Sequence, residues 1–240
     1  MDKRLEANMR FLCDESRMLT GITVAYGTTT YSEWAQYGRA QEIDRVENGF
    51  IPAVRPLIPD TIYDLASLTK LFTAVVTLAL VESGQLSLDE TVGQIDPRFI
   101  HLQNVTVGDV LSFRISLQTP GRIDTAPTRE EGLKRLFGVS VCPTPAIRVY
   151  SDMNAMVIKY VIEAKTDLSL FDAIQTWILS PAGMPETFAA VPKAFRGRCV
   201  CYNYEHRIEG ERQILRTSPP CGLPHDPKAL LLSDNGRDLC

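Results

Sequence analysis

Apolar residues at Leu5, Met9 and Leu12 follow helical spacing and predict a helix over residues 3–13. The β-branched run Gly21-Ile22-Thr23-Val24-Ala25-Tyr26 predicts a strand, Gly27-Thr28 a turn, and Tyr31 to Ala40, with Trp34 and Tyr37, the returning antiparallel strand. Pro52, Pro56 and Pro59 then read as a long connection. From residue 60 to 83 the pattern changes: Leu65, Leu68, Leu71, Phe72, Val75, Val76, Leu78, Leu80 and Val81 make a helix apolar nearly all round, with Ser83-Gly84 as its stop. Such a helix belongs inside a domain, with the polar Ser67 and Lys70 at the edge of its core. Further on, Leu86 to Glu90 reads as a turn, Thr106 to Leu111 as a helix start, and residues 118–146 as loop with a short helix at 129–137. A strongly apolar helix follows Tyr150-Ser151-Asp152-Met153-Asn154 to about Ala164, and another covers about 169–180 before Pro181-Ala182-Gly183.

The resulting expectation is an α+β fold: an antiparallel sheet with helices beside it, in a single domain over 1–240. Its sheet part covers about 1–64 and its helical part about 65–185. Residues 186–240 have weak periodicity and predict no definite elements. No internal repeat, low-complexity segment or flexible linker interrupts the chain.

Composition narrows the function. Of 240 residues, 45% are apolar and 22% charged, which excludes disordered and fibrous classes. The net charge of −4 is scattered, with no basic stripe to neutralise phosphates, so nucleic acid is not an expected partner. Met1 to Glu6 is charged and lacks a signal peptide's apolar stretch, and Leu71 to Val81 is broken by Thr73 and Thr77. A cytoplasmic location without a membrane partner is expected. The six cysteines, at 13, 142, 199, 201, 221 and 240, form no C-x-x-C pair and are expected as free thiols; Cys199-Val200-Cys201 suits a zinc site poorly.

A serine hydroxyl needs a base within hydrogen-bond reach to become a nucleophile. Ser67 and Lys70, three apart, share a helix face. A desolvated Lys70 amine is able to take a proton, or to stay charged and stabilise the anion of a nearby phenol, for which Tyr150 is the candidate. A serine in a first helical turn also has the helix dipole behind its oxyanion. By themselves these residues read more readily as a helix N-cap at Ser67 and a snorkelling surface lysine at position 70. His101, His206 and His225 accompany no G-x-S-x-G elbow, and neither a Walker A loop nor a dinucleotide fingerprint occurs, so no cofactor is expected.

Context changes the balance. Tyr63-Asp64-Leu65-Ala66-Ser67-Leu68-Thr69-Lys70, with its apolar helix, Gly84 and Leu86-Ser87-Leu88-Asp89-Glu90 behind it, resembles the first motif of the serine β-lactamase-related family, which includes class C β-lactamases, D-alanyl carboxypeptidases and esterases. Val149-Tyr150-Ser151-Asp152-Met153-Asn154 resembles that family's second motif, and the likeness runs from about residue 18 to about 185. The resemblance implies that Ser67 attacks an ester or amide carbonyl and Tyr150 passes the proton to the leaving group. It implies that Lys70 keeps the tyrosine partly ionised, and that Asp152, where many relatives have asparagine, holds Lys70 and polarises the substrate. The bland reading of Asp152 is a helix N-cap.

Three departures stand against the resemblance. No third motif of the K-T-G or H-x-G kind occurs, and relatives with a segment like Pro224-His225-Asp226-Pro227-Lys228-Ala229 continue past it, which implies missing C-terminal strands, exposed sheet edges and self-association. Ser233-Asp234-Asn235 matches the S-D-N string of class A β-lactamases but sits too late for that role. The loop after Leu111 reads Ser112-Phe113-Arg114-Ile115-Ser116 where many relatives have His-Thr-Ser-Gly. The leading expectation is a serine hydrolase acting on an ester or small amide through an acyl-serine. Its rivals are a catalytically silent remnant that binds a ligand or nothing, and a D-amino-acid peptidase, transpeptidase or β-lactamase.

Overall fold

The computed structural model describes residues 2–46, 49–143, 150–201, 204–209, 212–217 and 221–233. Residues Val149, Asp234, Asn235 and Cys240, which figure in the sequence reading, lie outside them. The chain forms two compact units, one of Met1–Asp64 with Val191–His225 and one of Leu65–Ala190 with Asp226–Cys240.

In the first unit, helix α1 (Lys3–Arg10) is capped by Asp2, whose carboxylate accepts from the Arg4 N–H at 2.8 Å, and runs on into a wider turn over Phe11–Glu15. Met9 and Cys13 are its buried positions. Strands β1 (Gly21–Gly27), β2 (Ser32–Val46) and β3 (Gly49–Pro56) pair antiparallel in that order, with Gly21 opposite Gly38 and Gly27 opposite Ser32. The stretch read as a proline-rich connection is therefore largely a strand. β3 is an edge strand whose pairing with β2 is broken by register shifts on either side of Gln41, and edges and irregular pairings tolerate Pro52 and Pro56. Arg55 of β3 anchors the later chain: its guanidinium donates to the carbonyls of Gly197 and Cys199 and to Gln41 Oε1.

Two further strands of this unit come from residues that predict no element. β6 (Tyr204–Glu209) and β7 (Arg212–Thr217) form an antiparallel hairpin, and Cys201 and Cys221 flank it with Cα atoms 5.0 Å apart, joined as a disulfide. The expectation of six free thiols is corrected here, because the hairpin returns the chain to its start. Cys13 and Cys199 are free thiols.

The second unit is helical: α2 (Thr69–Glu82), α3 (Val92–Ile95), α4 (Val107–Leu111), α5 (Arg129–Phe137), α6 (Asp152–Thr166), α7 (Leu170–Ile174) and α8 (Pro227–Leu232), with a small ladder of β4 (Leu117–Gln118) on β5 (Ser140–Val141). Its core joins Val76 and Leu80 of α2 to Val157, Ile158, Val161 and Ile162 of α6, with Phe99, Leu102, Leu136 and Leu179 around them. Each such fully buried side chain stabilises the fold by about 1.5–3 kcal/mol. Gly84 at φ +73° follows the α2 C-cap, as the stop signal requires.

α2 differs from the expectation of a wholly interior helix. Its buried face carries Thr69, Thr73 and Thr77, while Leu71, Val75 and Leu78 are exposed. The threonines are compatible with burial because Thr73 and Thr77 donate their hydroxyls to the carbonyls of Thr69 and Thr73, at 3.1 and 2.8 Å. No described helix is long and apolar enough to cross a membrane.

Candidate active site

Ser67 lies in a 3₁₀ turn, Ala66–Leu68, that leads into α2. Ala66 just before it has φ +45°, a left-handed conformation that costs a non-glycine residue about 1–2 kcal/mol. That strain, at the residue before an exposed serine, is of the kind functional sites hold in place. Lys70, in the first turn of α2, points its ammonium back along the helix and donates to Ser67 Oγ at 3.0 Å.

Asp152 is the first residue of α6, whose N-cap is Ser151: its hydroxyl accepts from the Met153 N–H at 3.1 Å. The N-cap reading of Asp152 thus moves to its neighbour, and the aspartate is free to face α2. Asp152 Oδ1 is 2.7 Å from Lys70 Nζ, and Oδ2 is 3.0 Å from Lys228 Nζ. Lys228 stands at the start of α8 and also pairs with Asp226 at 3.0 Å, while Asp226 caps that helix through the N–H groups of Lys228 and Ala229. α8 is seated on α5 by close approach at Gly132, where an added Cβ would meet a Leu232 methyl at 3.0 Å, and Arg129 donates to the Leu232 carbonyl at 2.7 Å.

Tyr150, two residues before α6, is 66% exposed. Lys70 Nζ lies 5.1 Å from the centre of its ring. The ring stacks on Phe113, with centroids 5.6 Å apart and planes 15° from parallel. Phe113 follows α4 in a left-handed conformation, φ +57°. The buried Asn154 holds this loop by donating its amide to the Val110 carbonyl at 3.0 Å and the Ile115 carbonyl at 3.4 Å. Phe113, Asn154 and Lys228 were thus present in the sequence motifs with no role attached. Only Asn154 carried a usable signal, an amide placed on an apolar helix.

Electrostatics in this cluster favour charge. Burial alone lowers the Lys70 pKa and is the largest single influence, but Asp152 and Tyr150 together outweigh it and the net shift is upward. Burial is likewise the largest influence on Asp152, raising its pKa, and is outweighed by hydrogen bonds and attraction from Lys70 and Lys228, so its carboxyl sits below the usual range. Lys228, too, is desolvated but raised overall by Asp226 and Asp152. Of the two states open to Lys70, the ammonium is therefore the resting one. In that state it orients the serine oxygen as a donor and stabilises negative charge beside it. It takes a proton only after losing its own. No group of three or more His, Cys, Asp or Glu side chains is assembled to hold a metal ion among the described residues.

The Beta-lactamase family matches residues 25–226, and the chain belongs to it. Penicillin-binding protein 4* of Bacillus subtilis (strain 168) is 31% identical over 177 residues, 67% of this chain and 38% of that protein. Penicillin-binding protein 4 of Amycolatopsis lactamdurans is 24% identical over 149 residues, 58% of this chain and 39% of that protein. A class C β-lactamase structure determined with cefoxitin superposes with a TM-score of 0.69 at 20% identity, covering 92% of this chain and 59% of that one, a likeness that speaks to the fold. The α+β fold is thus of the β-lactamase and transpeptidase kind, in a serine hydrolase family. The chain spans about two fifths of the two penicillin-binding proteins' lengths.

Proposed function

We propose that the chain acts as a serine hydrolase on an ester or small amide through an acyl-serine intermediate, with Ser67 as nucleophile, Lys70 and Tyr150 as proton-handling groups and Asp152 as the holder of Lys70 and a contact for substrate. The observation that carries this reading is the contact from Lys70 Nζ to both Ser67 Oγ, at 3.0 Å, and Asp152 Oδ1, at 2.7 Å. In the proposed reaction the Lys70–Tyr150 pair has first lost one proton to solvent; the Ser67 oxygen then bonds to the carbonyl carbon while its proton passes to the Tyr150 phenolate, with the Lys70 cation stabilising the charge that develops. Tyr150 then delivers that proton to the departing alkoxide or amine. Water cleaves the acyl-serine, its proton returning to Ser67 Oγ through the same groups. No cofactor enters this scheme.

The test is hydrolysis of p-nitrophenyl butyrate by the purified chain beside its Ser67→Ala variant, with intact-mass detection of an acyl adduct. Activity and adduct lost together in the variant support the reading. Equal, background rates in the two contradict it and favour a silent binding or remnant module. Turnover of D-alanyl peptides or β-lactams in place of esters would move the substrate class within the same site.

A cytoplasmic location, self-association through sheet edges, and the absence of nucleic-acid and membrane partners complete the proposal. Disulfides persist in oxidising compartments, so the redox state of Cys201 and Cys221 in cells tests the location: a reduced pair fits the cytoplasm and an oxidised pair argues against it. Sedimentation of the purified chain tests association, and a monodisperse monomer contradicts it.

A further inference from the structure

The carboxylate of Asp152 faces two ammonium groups, and only one of them touches the serine. Lys70 takes Oδ1 at 2.7 Å and Lys228 takes Oδ2 at 3.0 Å. Both lysines are largely covered, at 13% and 19% side-chain exposure, and Asp152 is 36% exposed, so solvent screens this pairing less than a surface contact. The contacts join three elements distant in sequence: α2, α6 and α8. Lys228 is itself held, since Asp226 both caps α8 and binds the Lys228 ammonium at 3.0 Å.

Two consequences follow from elementary electrostatics. A carboxylate bound at both oxygens is fixed in rotation, so Oδ1 stays aimed at Lys70. A carboxylate that already faces one cation also attracts a second less strongly on balance, because the two cations repel across it. Lys228, whose charge is shared with Asp226, offsets part of the Asp152 charge, and Lys70 releases its proton more readily than it would to an aspartate it alone neutralised.

We infer that Lys228 is a positioning residue for the Ser67 reaction, acting through Asp152: it fixes the carboxylate and offsets its charge, so that Lys70 remains able to exchange protons beside the serine. The inference rests on the reading of Ser67 as nucleophile given above. The charged and titratable groups facing one another here are Lys70 from α2, Tyr150 and Asp152 at the start of α6, and Asp226 and Lys228 from α8.

The experiment is the pH dependence of Ser67 acylation by p-nitrophenyl butyrate, followed by the burst of p-nitrophenol and intact mass, in the full chain and its Lys228→Met and Lys228→Arg variants. It is joined to an NMR titration of the Lys70 ammonium in the same three proteins. Lys228→Met is expected to slow acylation at pH 7 about tenfold, with the loss recovered at higher pH, and to move the Lys70 titration upward. Lys228→Arg is expected to keep both near the original. Coincident Lys70 titrations in Lys228→Met and the unaltered chain would overturn the inference, as would a rate loss that is the same at every pH. If the unaltered chain fails to acylate at all, the nucleophile reading falls, and the Lys70 titration alone still decides whether Lys228 acts on it.

Discussion

The two ends of α6 both carry ion pairs to other elements, yet they are built differently. At the C-terminal end, Lys165 pairs with Glu90, and Glu90 in turn accepts the Ser87 N–H at 2.7 Å. Within α6 itself Lys159 lies 3.6 Å from Glu163, and Glu163 accepts the Leu170 N–H at 3.0 Å. Cation and anion are matched there, and each carboxylate also closes a turn of backbone. At the N-terminal end one carboxylate, Asp152, meets two lysines, and one of those lysines is also 3.0 Å from an exposed serine hydroxyl. Matched charges with backbone ties hold a fold together. A lysine shared between a carboxylate and a hydroxyl at a helix start leaves capacity to stabilise a new negative charge, which a structural ion pair has no use for.

Substitutions at each end break the comparison if they have like effects. Lys70→Met carries the largest expected effect, a fall in Ser67 acylation of about 100- to 10,000-fold, the range for losing a proton-transfer group, with a far smaller change in melting temperature. A rate within a factor of two of the original would put Lys70 on the structural side.

Asp152→Asn comes next. It removes the group that holds Lys70 charged and leaves the opposing influence of burial, so the rising limb of the acylation profile is expected to move to lower pH. An unmoved limb would detach Asp152 from Lys70. The same carboxylate gives the unaltered chain an acid-sensitive term. Its lowered pKa contributes stability that is fully present above the usual carboxylate range and is lost as the pH falls through the lowered value. The raised lysines contribute below the usual lysine range and lose that contribution as the pH climbs through their raised values. Urea melts across acid pH should therefore show a smaller loss for Asp152→Asn than for the unaltered chain.

Phe113→Ala is expected to cost several-fold in acylation rate, because Tyr150 loses a stacking contact worth about 0.5–1.5 kcal/mol. A pH-independent loss would mark misplacement of Tyr150, and no loss would show that Asn154 and the loop hold it unaided. Glu90→Gln at the other end has the smallest effect: about 1 kcal/mol or less in a urea melt and no change in acylation. Should it alter the acylation profile, the separation of the two ends fails.

Legibility in the sequence follows the same physical lines. α6 was visible because Ser151 caps an unbroken apolar run, and Ser67 with Lys70 because three-residue spacing on one helix brings side chains together whatever else the chain does. β1, the start of β2 and α5 followed from alternation, turn signals and periodicity. β3 was hidden by prolines that only an irregular edge strand accommodates. The β6–β7 hairpin is written in Tyr-Glu-His-Arg-Ile-Glu and Arg-Gln-Ile-Leu-Arg-Thr, charged runs without clean alternation, and the Cys201–Cys221 pairing depends on that hairpin. On α2, hydrophobicity alone gave the wrong burial, since threonines satisfied by backbone carbonyls occupy the inner face. Lys228 was beyond reach because its partner Asp152 lies far away in sequence, and only the seating of α8 on α5 within the helical unit brings them together.

The most direct test of the central claim is to treat the full chain with a fluorophosphonate, measure its intact mass, and map the modified peptide. The account predicts one adduct, on Ser67, absent from Ser67→Ala and strongly slowed in Lys70→Met. An unmodified chain, or an adduct on another serine that persists in Ser67→Ala, would contradict it.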